Sequence, residues 1–205
     1  MELKERIIYE AKRLLYQLGP AKTTMDMVAR SCGISKRTLY EQFPDKHSLI
    51  RECIIYQQGK VQQEFQTIFE TSANCFEALF LVFNCVRKHM NSMAFNFREE
   101  IKRHFPDIHA EFNKDEYVFI DGLSQVLQEA QKQGLVLPDI DTRIAAFLLI
   151  STLKNVHRNE QIIEMNLNQV DVFEAAFINF LRGAASIKGI EMIEEFIQNK
   201  NKTTT

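Results

Sequence analysis

Apolar residues recur at helical spacing along most of this chain, and the pattern breaks where turn-forming residues fall. In the first eighteen residues Ile7, Ala11, Leu14, Leu15 and Leu18 share one face, which predicts an amphipathic helix from about residue 2 to 18, closed by Gly19. From Asp45 the period runs without a breaker through Ile50, Ile54, Val61, Phe65, Ile68 and Phe69, so one long helix is expected, softened midway by Gly59. Further helices are predicted at about 74–94, 97–104, 107–133, 140–158 and 169–187. Phe105-Pro106 and Gly134 with Pro138 mark firm boundaries between them. A short tail helix at about 189–199 carries one apolar stripe, Ile190, Ile193, Phe196 and Ile197, and is expected to dock on the body.

Residues 23–49 write out a helix, a tight turn and a second helix in order. Thr23 or Thr24 supplies a hydroxyl N-cap, Asp26 sits in the first turn, and Val28 and Ala29 carry the apolar face. Gly33 suits the left-handed residue that ends a helix, Ile34 the hydrophobic contact of that closure, and Ser35 the next N-cap. In the second helix, Lys36 to about Gln42, Leu39 and Phe43 point inward together. Arg37 and Glu41 lie about 160° away from Leu39, flanked by Lys36 and Tyr40 on one side and Thr38 on the other. Such a unit addresses the DNA major groove. Arginine can grip guanine with two bonds, Glu41 can accept from a cytosine amino group, and Lys36, Thr38 and Tyr40 suit phosphate oxygens. The plainer alternative is a solvated Arg37–Glu41 pair worth only about half a kcal/mol. After the turn at Pro44 and Asp45, Lys46 stands at the positive end of the long helix, where a phosphate, or Asp45 itself, would relieve the misfit.

These residues resemble the DNA-binding domain of the TetR family of bacterial transcriptional repressors over residues 3–50. The match is carried by Gly19, by Thr24 with Val28 and Ala29, by Cys32-Gly33-Ile34-Ser35, by Thr38-Leu39-Tyr40 with Phe43, and by Lys46 with Leu49. Two departures stand out: Arg37 replaces a glycine common just before Thr-Leu-Tyr, and Cys32 replaces an alanine. Arg37 adds a long groove-facing donor. The DNA-contacting set expected on this basis is Thr24, Ser35, Lys36, Arg37, Thr38, Tyr40, Glu41, Lys46 and His47.

Composition supports an all-α chain, and the resemblance implies a three-helix head at residues 1–46 and a helical body at 47–205 for effector binding and dimerisation. The 205 residues are 45% hydrophobic with only 7 Gly and 4 Pro, enough for a sizeable core and poor in turn formers. A net charge of -2 hides a split: residues 1–60 hold 11 Lys plus Arg against 7 Asp plus Glu, and the remainder is acidic. A basic head on an acidic body fits a local DNA footprint. Cys32, Cys53, Cys75 and Cys85 form no Cys-x-x-Cys pair and read as reduced core thiols of a cytoplasmic protein. The amino terminus lacks the apolar run of a signal peptide, and no apolar stretch approaches membrane-spanning length.

The five histidines show no i, i+4 metal clamp, and no nucleophile elbow, Walker loop or dinucleotide fingerprint is present, so no enzyme, metal or cofactor is expected. Small residues recur in two late helices, Ala145, Ala146 and Thr152 in one and Ala176, Asn179 and Gly183 in the other. In similar repressors the last two long helices form a four-helix dimer interface, so Ala145, Thr152, Ala176, Asn179 and Gly183 are expected there, against packing within one subunit. The resemblance also implies a small-molecule effector. Phe80, Phe83, Met90, Met93, Phe97, Phe119, Leu123 and Phe147 could line an apolar cavity with Arg87, His89 and His157 as polar anchors, although such a stripe is more often core. The expected activity is repression through a palindromic operator by a homodimer, relieved by an apolar effector, with the long helix carrying motion between heads. A DNA-architectural or cell-division factor without effector is the alternative, and a helical ligand-binding protein whose head has lost DNA affinity is disfavoured by the intact Arg37, Tyr40 and Lys46.

Overall fold

A computed structural model describes residues 2–92, 97–156 and 160–203. Its helices are α1 Leu3–Leu18, α2 Met25–Ser31, α3 Lys36–Gln42, α4 Lys46–Thr71, α5 Cys75–Ser92, α6 Phe97–His104, α7 Pro106–Lys132, α8 Thr142–Val156, α9 Glu160–Glu164, α10 Gln169–Ala184 and α11 Ile187–Thr203. The expected helices are all present, and the short α9 is an addition. Gly59 does not interrupt α4, because a single glycine weakens a helix by about 1 kcal/mol without breaking its hydrogen bonds.

The chain divides into two compact units, Met1–Thr67 with His89–Asn113, and Ile68–Lys88 with Lys114–Thr205. Helices α4, α5 and α7 each contribute residues to both units. In the first unit, α1 buries Ile7, Ile8, Ala11 and Leu15. The stripe is rotated slightly from expectation: Leu18, in the last turn before the chain leaves at Gly19, is exposed, and Ile8 is buried instead. Met25, Val28, Leu39, Phe43, Leu49 and Ile50 join the same core, and Phe97, Ile101 and Ile108 from α6 and α7 complete it. Phe97 meets Tyr16 edge-on at 5.3 Å.

In the second unit α8 packs on α10. Phe83 of α5 stacks on Phe177 at 4.3 Å and Phe173 at 5.3 Å, both in α10. Phe80 stacks on Phe196 of α11 at 4.0 Å, which is how the tail stripe docks; Ile193 beside it is fully buried. Asn168 caps α10 through the Val170 and Asp171 amides. At the start of α11 the Ser186 amide donates to the Leu135 carbonyl at 2.9 Å.

Gly189 lies so close to that carbonyl that a Cβ there would collide with it, whereas a Cβ on Gly59 meets nothing within 4 Å. Opposite outcomes follow. Gly189→Ala is expected to lower stability by about 1 to 3 kcal/mol through overpacking, and Gly59→Ala to raise it by about 0.5 to 1 kcal/mol through helix propensity. Chemical denaturation of the two variants checks both signs.

Candidate nucleic-acid interface

The helix-turn-helix is set by local chemistry. Thr24, not Thr23, caps α2, accepting from the Met27 amide at 3.3 Å, while buried Thr23 donates its hydroxyl to the Gly19 carbonyl at 2.9 Å. At the other end Gly33 adopts φ 62°, the Gly33 amide donates to the Arg30 carbonyl and the Ile34 amide to the Ala29 carbonyl, both at 3.0 Å. That pair of bonds is the Schellman closure, with Ile34 packed against the core as its hydrophobic contact. Ser35 then caps α3, accepting from the Thr38 amide at 3.1 Å.

Burial of Leu39 and Phe43 fixes the rotation of α3. Lys36, Arg37, Tyr40 and Glu41 are left exposed and Thr38 half-buried. The Arg37 side chain is 90% exposed and its Nε donates to Glu41 Oε1 at 3.0 Å, so the plainer pairing exists in the free chain, on the face a groove would meet. Such an exposed pair is weak enough to open when a base competes. Lys36 bridges to Asp26 of α2. A network on α1 braces the same unit: Glu10 accepts from the Ser31 hydroxyl at 2.6 Å and from Arg13, and those bonds hold its carboxyl below the usual range.

The start of α4 differs from expectation. Asp45 does not neutralise Lys46; it caps the helix, accepting from the Ser48 amide at 2.7 Å, which lowers its own pKa. The Lys46 ammonium instead donates to the Ala21 carbonyl at 3.3 Å. Burial pushes the Lys46 pKa down, and the charge of Glu100 partly restores it. His47 does not join the α3 set: its Nε2 lies 2.8 Å from Asp107 Oδ2 at the start of α7, and its ring packs on Phe105.

The described residues expected to line an effector cavity are divided between the two units. Phe97 lies in the core of the first unit, because α6 closes that core. Phe83 is spent in the aromatic stack with α10, Leu123 is half-buried, and Arg87 pairs with Glu174 at 3.5 Å. Phe119 and Phe147 are half exposed, since the buried faces of α7 and α8 run through Ile120, Leu127, Ala145, Ala146 and Leu149. Met93 and His157, and the side chains of His89 and Met90, lie outside the described residues. Of the dimer set, Ala145 is buried within its own unit, which the within-subunit alternative had allowed; Thr152, Asn179 and Gly183 are exposed and Ala176 half-buried. Sequence reading missed the apolar residues beside them, Ile144 and Leu148, which with Phe147 form one exposed face of α8. Their i, i+3, i+4 spacing was the available signal. Burial pushes the Cys32, Cys53 and Cys75 thiols up, Cys53 to about 12, which disfavours reactive thiolate. Among the described residues no group of His, Cys, Asp and Glu could hold a metal ion, and no helix is long and apolar enough to cross a membrane.

A capped helix-turn-helix that presents basic and polar side chains on its second helix defines a DNA-binding transcription regulator. Residues 7–53 match the model of "Bacterial regulatory proteins, tetR family", so the head of this chain is of the kind found in TetR-type transcriptional regulators. The chain is 24% identical over 161 residues to the HTH-type transcriptional regulator UidR of Escherichia coli K12, covering 72% of this chain and 76% of UidR. In fold it is similar to a TetR-family transcriptional regulator from Agrobacterium tumefaciens, with TM-score 0.73, 15% identity and coverage of 90% of this chain and 98% of that one. A complex of SmeT with triclosan aligns with TM-score 0.65 and 15% identity over 90% of this chain and 92% of SmeT.

The cap at Ser35 carries a measurable share of this interface. Ser35→Ala is expected to cost about 1 kcal/mol of stability by leaving the Thr38 amide without its side-chain acceptor. Urea denaturation followed by circular dichroism reads the loss.

Proposed function

We propose that the chain is a cytoplasmic, dimeric repressor that binds a palindromic operator through α3 and is released by a small apolar effector. The observation that carries the operator reading is the outward Arg37 on a helix whose rotation is fixed by buried Leu39 and Phe43. With Glu41 engaging only Nε, the two terminal nitrogens of Arg37 point to bidentate guanine recognition. Lys36, Thr38 and Tyr40 serve as phosphate partners, with Thr24 and Ser35 contributing hydroxyls at the two caps and Lys46 after displacement from Ala21.

A second copy is needed to read two half-sites about one turn of DNA apart. The exposed Ile144, Phe147 and Leu148 on α8, with exposed Thr152 and the small α10 residues Ala176, Asn179 and Gly183, support a helix-on-helix interface there. The effector reading is supported by the triclosan bound to SmeT and by Asn84 in α5, whose buried Oδ1 has no hydrogen-bond partner among the described residues. An apolar compound carrying one donor group suits that acceptor. Helices α4, α5 and α7, which continue from one unit into the other, are the routes by which occupancy would reach the head.

Two variants test the proposal. Arg37→Ala should lower operator affinity by about 1 to 3 kcal/mol and relax preference at one base pair, read by mobility shift on a duplex selected by the wild-type chain. Unchanged affinity and preference would remove Arg37 from the groove. Phe147→Lys should turn the dimer into a monomer in sedimentation equilibrium and weaken operator binding with it; a dimer that persists places the interface elsewhere.

A further inference from the structure

The first turn of α4 puts the Lys46 ammonium and the His47 imidazole at the positive end of a 26-residue helix, where a cation is disfavoured unless an anion stands near. Two carboxylates stand there, and neither belongs to the helix-turn-helix. Glu100 of α6 lies against Gly19, where an added Cβ would come within 2.7 Å of its Oε2, and that oxygen accepts from the Ala21 amide at 2.7 Å. The same Ala21 offers its carbonyl to the Lys46 ammonium, so one residue of the α1–α2 turn joins the acid and the cation. Asp107 of α7 engages His47 at 2.8 Å, and one turn along both helices Arg51 meets Glu111 at 2.8 Å. Asp45 is engaged mainly by Ser48, whose amide and hydroxyl both donate to its Oδ1.

We propose that Glu100 and Asp107 hold Lys46 and His47 as internal substitutes for operator phosphate, so that the free head carries a built-in brake on DNA binding. The proposal rests on the operator reading above. Its logic is competition: a phosphate that recruits Lys46 must first displace the Ala21 carbonyl, whose own amide is held by Glu100 of α6, and one that recruits His47 must displace the Asp107 carboxylate of α7. Because the contacts are partly exposed, each is weak, and a small shift of α6 or α7 that keeps Phe97, Ile101 and Ile108 in the core is enough to loosen them. The position of those helices thus sets the affinity of the head by choosing which acceptor Lys46 and His47 face.

The test uses the full chain and a duplex that the wild-type protein selects from a random-sequence pool, with binding followed by fluorescence anisotropy across a salt series. Glu100→Gln and Asp107→Asn keep an accepting oxygen and remove the charge. Each is expected to tighten binding roughly two- to fivefold and to steepen the salt dependence by about one released counterion. The gain from Glu100→Gln should vanish in a Lys46→Ala background, and that from Asp107→Asn in a His47→Ala background. A gain that survives those backgrounds means general repulsion and overturns the brake, as does unchanged or weaker binding by folded variants. Should Glu100→Gln lose helix content, Glu100→Asp, which keeps the charge but shortens its reach, is read in its place with the same expected direction. If the wild-type chain selects no duplex, the operator reading fails and the brake falls with it; a binding wild type with no tighter variant overturns the brake alone.

Discussion

The interface depends on the burial of two side chains. A helix of seven residues such as α3 is too short to persist by its own hydrogen bonds, because nucleation costs more than two turns return. What holds it is Leu39 and Phe43 in the core of the first unit, with the Ser35 cap at one end. The same burial fixes which residues face solvent. Rotation by one residue would turn Arg37 toward the flank and bring Thr38 or Tyr40 to the front, so recognition and stability are set by one contact surface.

That surface is not made by the first three helices alone. Phe97, Ile101 and Ile108 close the core from α6 and α7, and Glu100, Asp107 and Glu111 make polar ties from the same elements. The contacts differ in kind. Apolar closure is insensitive to salt and small shifts, whereas exposed ionic ties respond to both. A head built this way is firmly folded and yet adjustable at the edge where α4 begins.

Much of the head was legible because its signals are local. Thr24, Gly33, Ile34 and Ser35 act within five residues of their partners, and the period of Leu39 and Phe43 is read directly. The partners of Lys46 and His47 were not legible, since Ala21, Glu100 and Asp107 are 25 to 60 residues away and their pairing depends on how the helices pack. The body shows the same division. Helix positions followed from periodicity, but the aromatic pairs of Phe83 and the exposure of Phe119 and Phe147 depend on which helix lies against which face. Small residues were a poor guide for the same reason: Ala145 and Thr152 share a helix, and one is buried while the other is exposed.

Because the core of the first unit draws on residues up to Ile108, the DNA-reading part of this protein is discontinuous in sequence. A fragment ending with α3 would keep both reading helices and lose the lid over them, exposing the apolar faces that Phe97, Ile101 and Ile108 cover. The head is therefore not a cassette that can be cut out or grafted by a single join. Exchange of DNA specificity between such chains is easier through the outward residues of α3, which touch no part of that lid, than through recombination of whole segments.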